Sequence, residues 1–448
     1  MAEWDVLVVG SGPLGAATAR RLAEAGRRVA IVERGRPVSS PPGSHVRNAP
    51  PLRDDPDGYF AGIDHYFDYL DLEATPRALP GACTTSIIGG MGALWTNNCP
   101  RAVEGVDRPD LLAPTEWERC YSLAEHYLGV RVDQFDDSFR QRSIGERLGA
   151  ALAADGRELD RLPLSGRREG PDRIRFFSPA DILSPTEQVE IVGGTVERVE
   201  HEGGRATGVR IDGDLRTADN VVLAASAVDT PELLWRSGLR PEALGRHLSY
   251  HPILIGQVVL DDGLWDTGPE PDPLPRLGVP PTPERPWFVM VLRDTNPLPP
   301  APPDLDVPAN RLVEIQAFAP VDPHPDNRMR FADSGELAFD VPLREADEER
   351  RRAIESDVAD ICRTIGRFRA GCDPQWSPLG TPHLIGSCRM GAADDGTSVA
   401  DTFGRVWGTE NLYLATNGLV PTRLAVNPTL TGAALAIRTA DHIVGAVA

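Results

Sequence analysis

Trp4-Asp5-Val6-Leu7-Val8-Val9-Gly10-Ser11-Gly12-Pro13-Leu14-Gly15 opens the chain, and AATARRLAEAGRRVAIVE, residues 16–33, completes the stretch that decides the fold. The valine-rich run from Trp4 to Val9 reads as a short buried strand. Ala16, Ala19, Leu22 and Ala23 recur on one face of a helix that Gly26 ends. Arg28–Val32 is a second strand, closing on Glu33. A strand, a glycine turn, a helix and a strand within about 30 residues make the opening unit of a dinucleotide-binding sheet. Gly10 permits the tight turn, Gly12 lets a pyrophosphate approach the backbone, and Gly15 lets helix and strand pack closely. Pro13 and Leu14 lie at the helix start, where free N–H groups and partial positive charge favour an anion. Glu33 is placed to accept from a ribose 2′-hydroxyl. Arg34 reads as a solvated charge, with the adenosine half of a dinucleotide as its alternative contact.

The rest of the composition narrows the chemistry. The chain has 448 residues, 66 acidic and 46 basic, for a formal charge of −20. Every basic residue is arginine; there is no lysine. A lysine Schiff base, the P-loop lysine and the protein-kinase lysine are therefore excluded. A nucleic-acid partner is not expected, because a strongly negative chain repels phosphates. The first residues lack a basic region, and no run approaches the roughly 20 apolar residues of a membrane span. The cysteines, at 83, 99, 120, 362, 372 and 388, form no CxxC and no zinc spacing, so no metal site is expected. Scattered cysteines of this kind read as reduced core thiols in a cytoplasmic protein.

Further along, Gly89-Gly90-Met91-Gly92 precedes Ala93-Leu94-Trp95-Thr96-Asn97-Asn98, a backbone suited to lying against a flat or charged ligand. Val189–Val199 and Ala206–Ile211 flank a turn at Glu202-Gly203-Gly204, and the strand Val221–Ala225 follows. In Ser226–Leu239, Thr230 reads as a helix N-cap, Pro231 as the first helical residue and Gly238 as the stop. The proline-rich residues 263–308 read as an irregular excursion over a sheet, with strands at Trp287–Leu292 and Arg311–Phe318. A charged amphipathic helix is expected over Glu345–Arg369. Near the C-terminus, a strand at 412–415 reaches a polar turn, and Asn427-Pro428-Thr429 opens an apolar helix without a nearby acid. Its N-terminus is free to face an anion.

These segments resemble the glucose–methanol–choline (GMC) family of FAD oxidoreductases over nearly the whole chain. The resemblance rests on Gly10–Glu33, Gly89–Asn98, Ser226–Leu239, Gly245–Pro252 and residues 383–443; Arg240 stands where the second signature of the family has glycine. The segments Gly89–Thr96 and Pro421–Thr431 are most similar to those of pyranose oxidases and bacterial sugar or glycoside 3-oxidases. The resemblance implies an α/β protein with α+β elements. A Rossmann-like FAD-binding domain (1–100, 191–250 and 381–448) interleaves with a substrate-binding domain (101–190 and 251–380) that contains an antiparallel sheet. Leu94 replaces the histidine that pyranose oxidases tie to the flavin, which implies non-covalent FAD. Gly90, Met91, Gly92, Trp95 and Thr96 are implied at the flavin, with Thr96 beside N5. Val196 and Ala225 are implied at the adenine, Asn417 at the ribityl chain, and Pro428 and Thr429 at the helix start facing the flavin.

The family's active-site pair falls on His383 and Asn427. His383 is expected to accept the proton of a CH–OH group while hydride leaves to flavin N5; Asn427 hydrogen-bonds the same hydroxyl. His247 and His251 read as scaffold. The expected substrate is a sugar, glycoside or aminocyclitol-like polyol, with oxygen, a quinone or another electron acceptor. The alternative is a non-redox, FAD-containing enzyme of the hydroxynitrile-lyase type on the same fold.

Overall fold

A computed structural model of the chain describes residues 2–50, 52–53, 59–70, 79, 82–170, 173–186, 188–268, 272–293, 307–332, 337–377 and 383–445. Thr381 and Pro382, and residues 269–271 and 294–306 of the proline-rich stretch, lie outside the described residues. The elements used below begin with β1 (Trp4–Val9), α1 (Pro13–Glu24), β2 (Val29–Glu33), α2 (Pro114–Leu128) and α3 (Phe139–Ala154). Then come β3 (Val189–Gly193), β4 (Val196–Glu202), β5 (Arg205–Ile211), β6 (Asp214–Leu223) and α4 (Ser226–Arg236). The second half holds β7 (Ile253–Leu260), β8 (Arg276–Val279), β9 (Phe288–Leu292), β10 (Leu312–Phe318), α5 (Glu345–Ile365), β11 (Leu412–Leu414) and α6 (Thr429–Ile443).

The first sheet is parallel in the order β3-β2-β1-β6-β11. Valines and leucines of β1 and β2 are buried on both faces, as a parallel sheet covered by helices requires. Strand β6 does two jobs. Residues 214–217 pair antiparallel with β5, while 218–223 pair parallel with β1. The meander β4-β5-β6 thus grows out of the parallel sheet without a crossover. Val189–Val199 is two strands rather than the single one expected: β3 pairs with β2, the chain turns at Gly194-Thr195, and β4 joins β5.

The second sheet is antiparallel, with β7-β10-β9-β8 at its centre. Its side chains alternate between two destinations. Leu254, Val258, Val289, Val291, Val313 and Ile315 pack with Ile144, Leu148 and Leu152 of α3 and Ile354, Val358, Ile361 and Ile365 of α5. The apolar residues of α5 recur at three- and four-residue steps, so one stripe meets the sheet; most of its charged residues face away, while Asp347 and Asp357 are buried and Asp357 accepts from Trp287 and Arg157. Ile253, Ile255, Phe288, Met290 and Phe318 on the opposite face join the core of the first sheet.

Buried charge also fastens the helices that carry the first sheet. Asp441 on α6 is fully buried and accepts from Arg21 of α1 and Arg119 of α2, each at 2.5 Å. Arg438 of α6 reaches Glu116 of α2 at 2.6 Å. Helix α2 therefore packs on α1 and α6 at the back of the parallel sheet. All six cysteines are buried free thiols.

Helix α4 departs from the expected start. It begins at Ser226, and Pro231 lies inside it. The Ser226 hydroxyl accepts from the N–H groups of Val228 and Asp229, both at 3.1 Å, and so takes the capping role expected of Thr230. Pro231 has no N–H to offer the Ala227 carbonyl one turn back. The hydroxyl of Ser387 donates to that carbonyl instead, at 2.6 Å and fully buried. Ser387→Ala leaves the Ala227 carbonyl unpaired, and we expect a loss of about 1–3 kcal/mol in denaturant unfolding. An unchanged midpoint would refute this account of how the helix tolerates its proline.

Candidate active site

The carboxyl ends of the parallel strands converge on a cavity of about 860 Å³. Val9 and Gly10 reach it from β1, Glu33 and Arg34 from β2, Ala224 and Ala225 from β6, and Ala415 to Asn417 from β11. This is the edge at which an open α/β sheet binds its ligand. The far wall comes from the antiparallel sheet: Ile253, Ile255, Gln316 and Phe318 project from its inner face.

Nearly every residue expected at the site lines this one cavity. Gly10, Gly12, Pro13, Leu14, Glu33, Arg34, Gly90, Met91, Gly92, Leu94, Trp95, Thr96, Val196, Ala225, His383, Asn417, Asn427, Pro428 and Thr429 all do so. Gly15 does not. It stands behind the lining, where an added Cβ would lie 2.1 Å from the Gly10 carbonyl oxygen. Its part is packing of α1 on the strand end. Gly12 is the opposite case: a Cβ there meets nothing within 4 Å, so its backbone faces open space inside the cavity. The start of α1 has no acid in its first turn, which leaves its positive end available to a pyrophosphate.

The loop is held by a residue that the motif leaves unspecified. The Ser11 hydroxyl donates to Glu33 at 2.6 Å and accepts from the Gly89 N–H at 2.8 Å, joining the two glycine segments. Glu33 also accepts from the Ser11 N–H at 2.9 Å and from the Gly35 N–H at 2.6 Å. A carboxylate has about four lone-pair sites, so Glu33 can serve the loop and still accept a ribose hydroxyl. Arg34 is exposed, as expected of a solvated charge, and pairs with Asp229 at 2.9 Å on the cavity rim. Burial pushes the Asp229 carboxyl up to about 6, with Arg34 pulling the other way.

At the other group of lining residues stand His383 and Asn427. Desolvation in the wall holds His383 well below the ordinary histidine value of 6.5, with His251 adding in the same direction. His383 is therefore a neutral imidazole at neutral pH. The Oδ1 atoms of Asn427 and Asn417 are buried and have no hydrogen-bond partner among the described residues. Both residues also line the cavity. Asn427 also leads into α6, which has no acid in its first turn. The open Gly12 backbone, the acceptor Glu33, two cavity-lining amides and two helix N-termini fit a flavin dinucleotide. Leu94, 3% exposed in the wall, has no group to bond the flavin covalently. Among the described residues no cluster of histidine, cysteine or carboxylates is suited to a metal.

The structure adds residues that sequence reading left out. Gln316, Tyr250, Asn98 and Ser377 line the cavity; strand alternation explains Gln316, but no motif marks it. His251, read as scaffold, has its Nε2 2.5 Å from Nδ1 of His383. It lies in the family-like segment Gly245–Pro252, yet no spacing ties it to a residue 132 positions away.

The two glycines give a paired test. Gly15→Ala should lower unfolding stability by about 1–3 kcal/mol, through the clash with Gly10. Gly12→Ala should leave apoprotein stability unchanged and weaken FAD by about tenfold or more in a titration. Equal effects on stability from both would refute the division of roles.

Comparison with known proteins agrees with this geometry. The GMC oxidoreductase family matches residues 180–253 and 323–436, and the FAD dependent oxidoreductase family matches residues 5–69. A C-glycoside 3-oxidase of Microbacterium trichothecenolyticum is 34% identical, over 99% of this chain and 96% of that protein. A pyranose 2-oxidase of Tricholoma matsutake is 27% identical, over 98% of this chain and 93% of that protein. The solved structure of a pyridoxine 4-oxidase from Mesorbium loti shares the fold, with a TM-score of 0.65 at 19% identity over 98% of both chains. With a full-length relative at this identity and a cavity built for a flavin dinucleotide, the chain belongs to the GMC oxidoreductase family and is an FAD-dependent oxidoreductase.

Proposed function

We propose that the protein oxidises a CH–OH group of a sugar, glycoside or related polyol to a carbonyl, with His383 as the base. The observation that carries this reading is a neutral His383 lining the same cavity as the Asn427 amide. FAD, when bound, supplies the two-electron acceptor for the hydride. The neutral His383 ring takes the hydroxyl proton, which lets the C–O bond close to a carbonyl as the hydride departs. Asn427 gives the bound alcohol a second hydrogen bond and fixes its direction. Gln316 and Ser377 add polar groups for the remaining hydroxyls of a polyol, and Phe318 and Tyr250 add apolar surface to the same cavity. Sugar oxidases among the relatives support the substrate class. On this reading residues 1–100, 191–250 and 381–448 hold the cofactor, and oxygen or a quinone takes the electrons.

A panel of sugars and glycosides added anaerobically should bleach the oxidised flavin absorbance, and oxygen or quinone should restore it. Flavin that no alcohol reduces, with aldehyde released from a cyanohydrin, would overturn the proposal in favour of a lyase. His383→Ala should retain FAD and slow flavin reduction by about 10²–10⁴-fold. The pH dependence has a definite sign. A base whose pKa is lowered stays unprotonated through neutral pH, so kcat/KM should hold until pH falls below 6.5 and only then decline. An acid limb centred above 6.5 would contradict a desolvated His383 as the base.

A further inference from the structure

We infer that His251 is a positioning residue: it holds His383 in the tautomer that carries its proton on Nδ1 and keeps Nε2 bare for the substrate. The inference rests on the reading of His383 as base and concerns what prepares it. His251 is 2% exposed and stacks on Phe318, with ring centroids 4.1 Å apart and planes at 14°. Its Nδ1 lies 3.1 Å from the carbonyl oxygen of Leu424. A carbonyl only accepts, so that nitrogen carries the proton. In a buried apolar setting the ring is neutral, and a neutral imidazole with a proton on one nitrogen has a lone pair on the other. That lone pair, on Nε2, is 2.5 Å from Nδ1 of His383. Nδ1 of His383 must then be the donor. Its proton count is complete, and Nε2 is left as an unprotonated base on a residue that lines the cavity.

The chain of hydrogen bonds starts from a fixed backbone. Leu424 is followed by Ala425, whose N–H donates to the buried Asp107 carboxylate at 2.8 Å, and the same stretch leads to Asn427. The segment that presents Asn427 thus also sets the tautomer of His383, through His251. A ring nitrogen's state is decided by the partner of the other nitrogen, and here that partner is a second histidine in place of a carboxylate. A neutral relay suits this site, because a carboxylate beside His383 would raise its pKa and keep it protonated.

The test uses the FAD-loaded full-length protein. His251→Phe keeps a flat ring on Phe318 but offers His383 no acceptor. We expect kcat/KM to fall by about 10²-fold or more, with FAD stoichiometry and thermal midpoint retained. His251→Gln, which restores an acceptor oxygen, should recover most of the rate. His251→Phe with parental kcat/KM and pH profile would overturn the inference, as would no recovery with glutamine. Should the phenylalanine variant lose FAD, the unmutated protein decides. Long-range ¹H–¹⁵N spectra of the ¹⁵N-labelled holoenzyme above pH 6.5 should show His383 with protonated Nδ1 and bare Nε2; the reverse tautomer would overturn it. That spectrum is recorded without substrate, so it stands apart from the base reading, which fails separately if His383→Ala keeps full activity.

Discussion

Helix α1 rests against the end of β1 because Gly15 has no side chain. A Cβ there would lie 2.1 Å from the Gly10 carbonyl oxygen, and the helix would have to lift away. Everything at the cofactor end depends on that approach. It aims the α1 N-terminus into the cavity, leaves Gly12 facing open space, and places Ser11 where its hydroxyl reaches both Glu33 and Gly89. The second glycine segment, about 80 residues later, is thereby hung on the first by one side chain.

Two sheets divide the work that follows. The parallel sheet provides strand ends, where the backbone stops pairing and its polar groups and helix N-termini become available to a ligand. The antiparallel sheet provides a face. Its alternation sends Leu254, Val289, Val313 and Ile315 to helices α3 and α5 and leaves Ile253, Ile255, Gln316 and Phe318 to close the cavity. Neither sheet makes a site by itself. The buried Asp441, shared by Arg21 and Arg119, holds the helices behind the parallel sheet and so the floor of the cavity.

Burial then sets the chemistry of the histidines. His251 is pushed down to about 4 by desolvation, against the pull of the Leu424 carbonyl, and His383 is lowered by the same cause. Two neutral rings in contact can share one proton in a defined order, which two charged rings could not. The absent lysine takes on meaning here. With histidine, asparagine, helix N-termini and FAD at the site, the chemistry needs no ammonium group.

Much of this was legible in the sequence because it is local. The strand–glycine–helix–strand order of Trp4–Glu33 follows from periodicity and from what each glycine permits. The segments around Gly90–Thr96, His383 and Asn427–Thr429 could be identified because their residue types recur in a fixed order. The start of α4 was misread for an equally local reason: Thr-Pro resembles a helix start, and the rescue of Ala227 comes from Ser387, 160 residues away. By itself, then, the sequence determined the sheet's opening unit, the cofactor class and the two residues proposed to face the substrate, since all are written in spacing and side-chain type. Only the tertiary structure decided that Gly15 packs while Gly12 faces the ligand, that Gln316 enters the wall, and that His251 sits 2.5 Å from His383. Those facts are distances between segments far apart in the chain, and a hydrogen bond's direction depends on such distances and on burial, neither of which a string of residues contains.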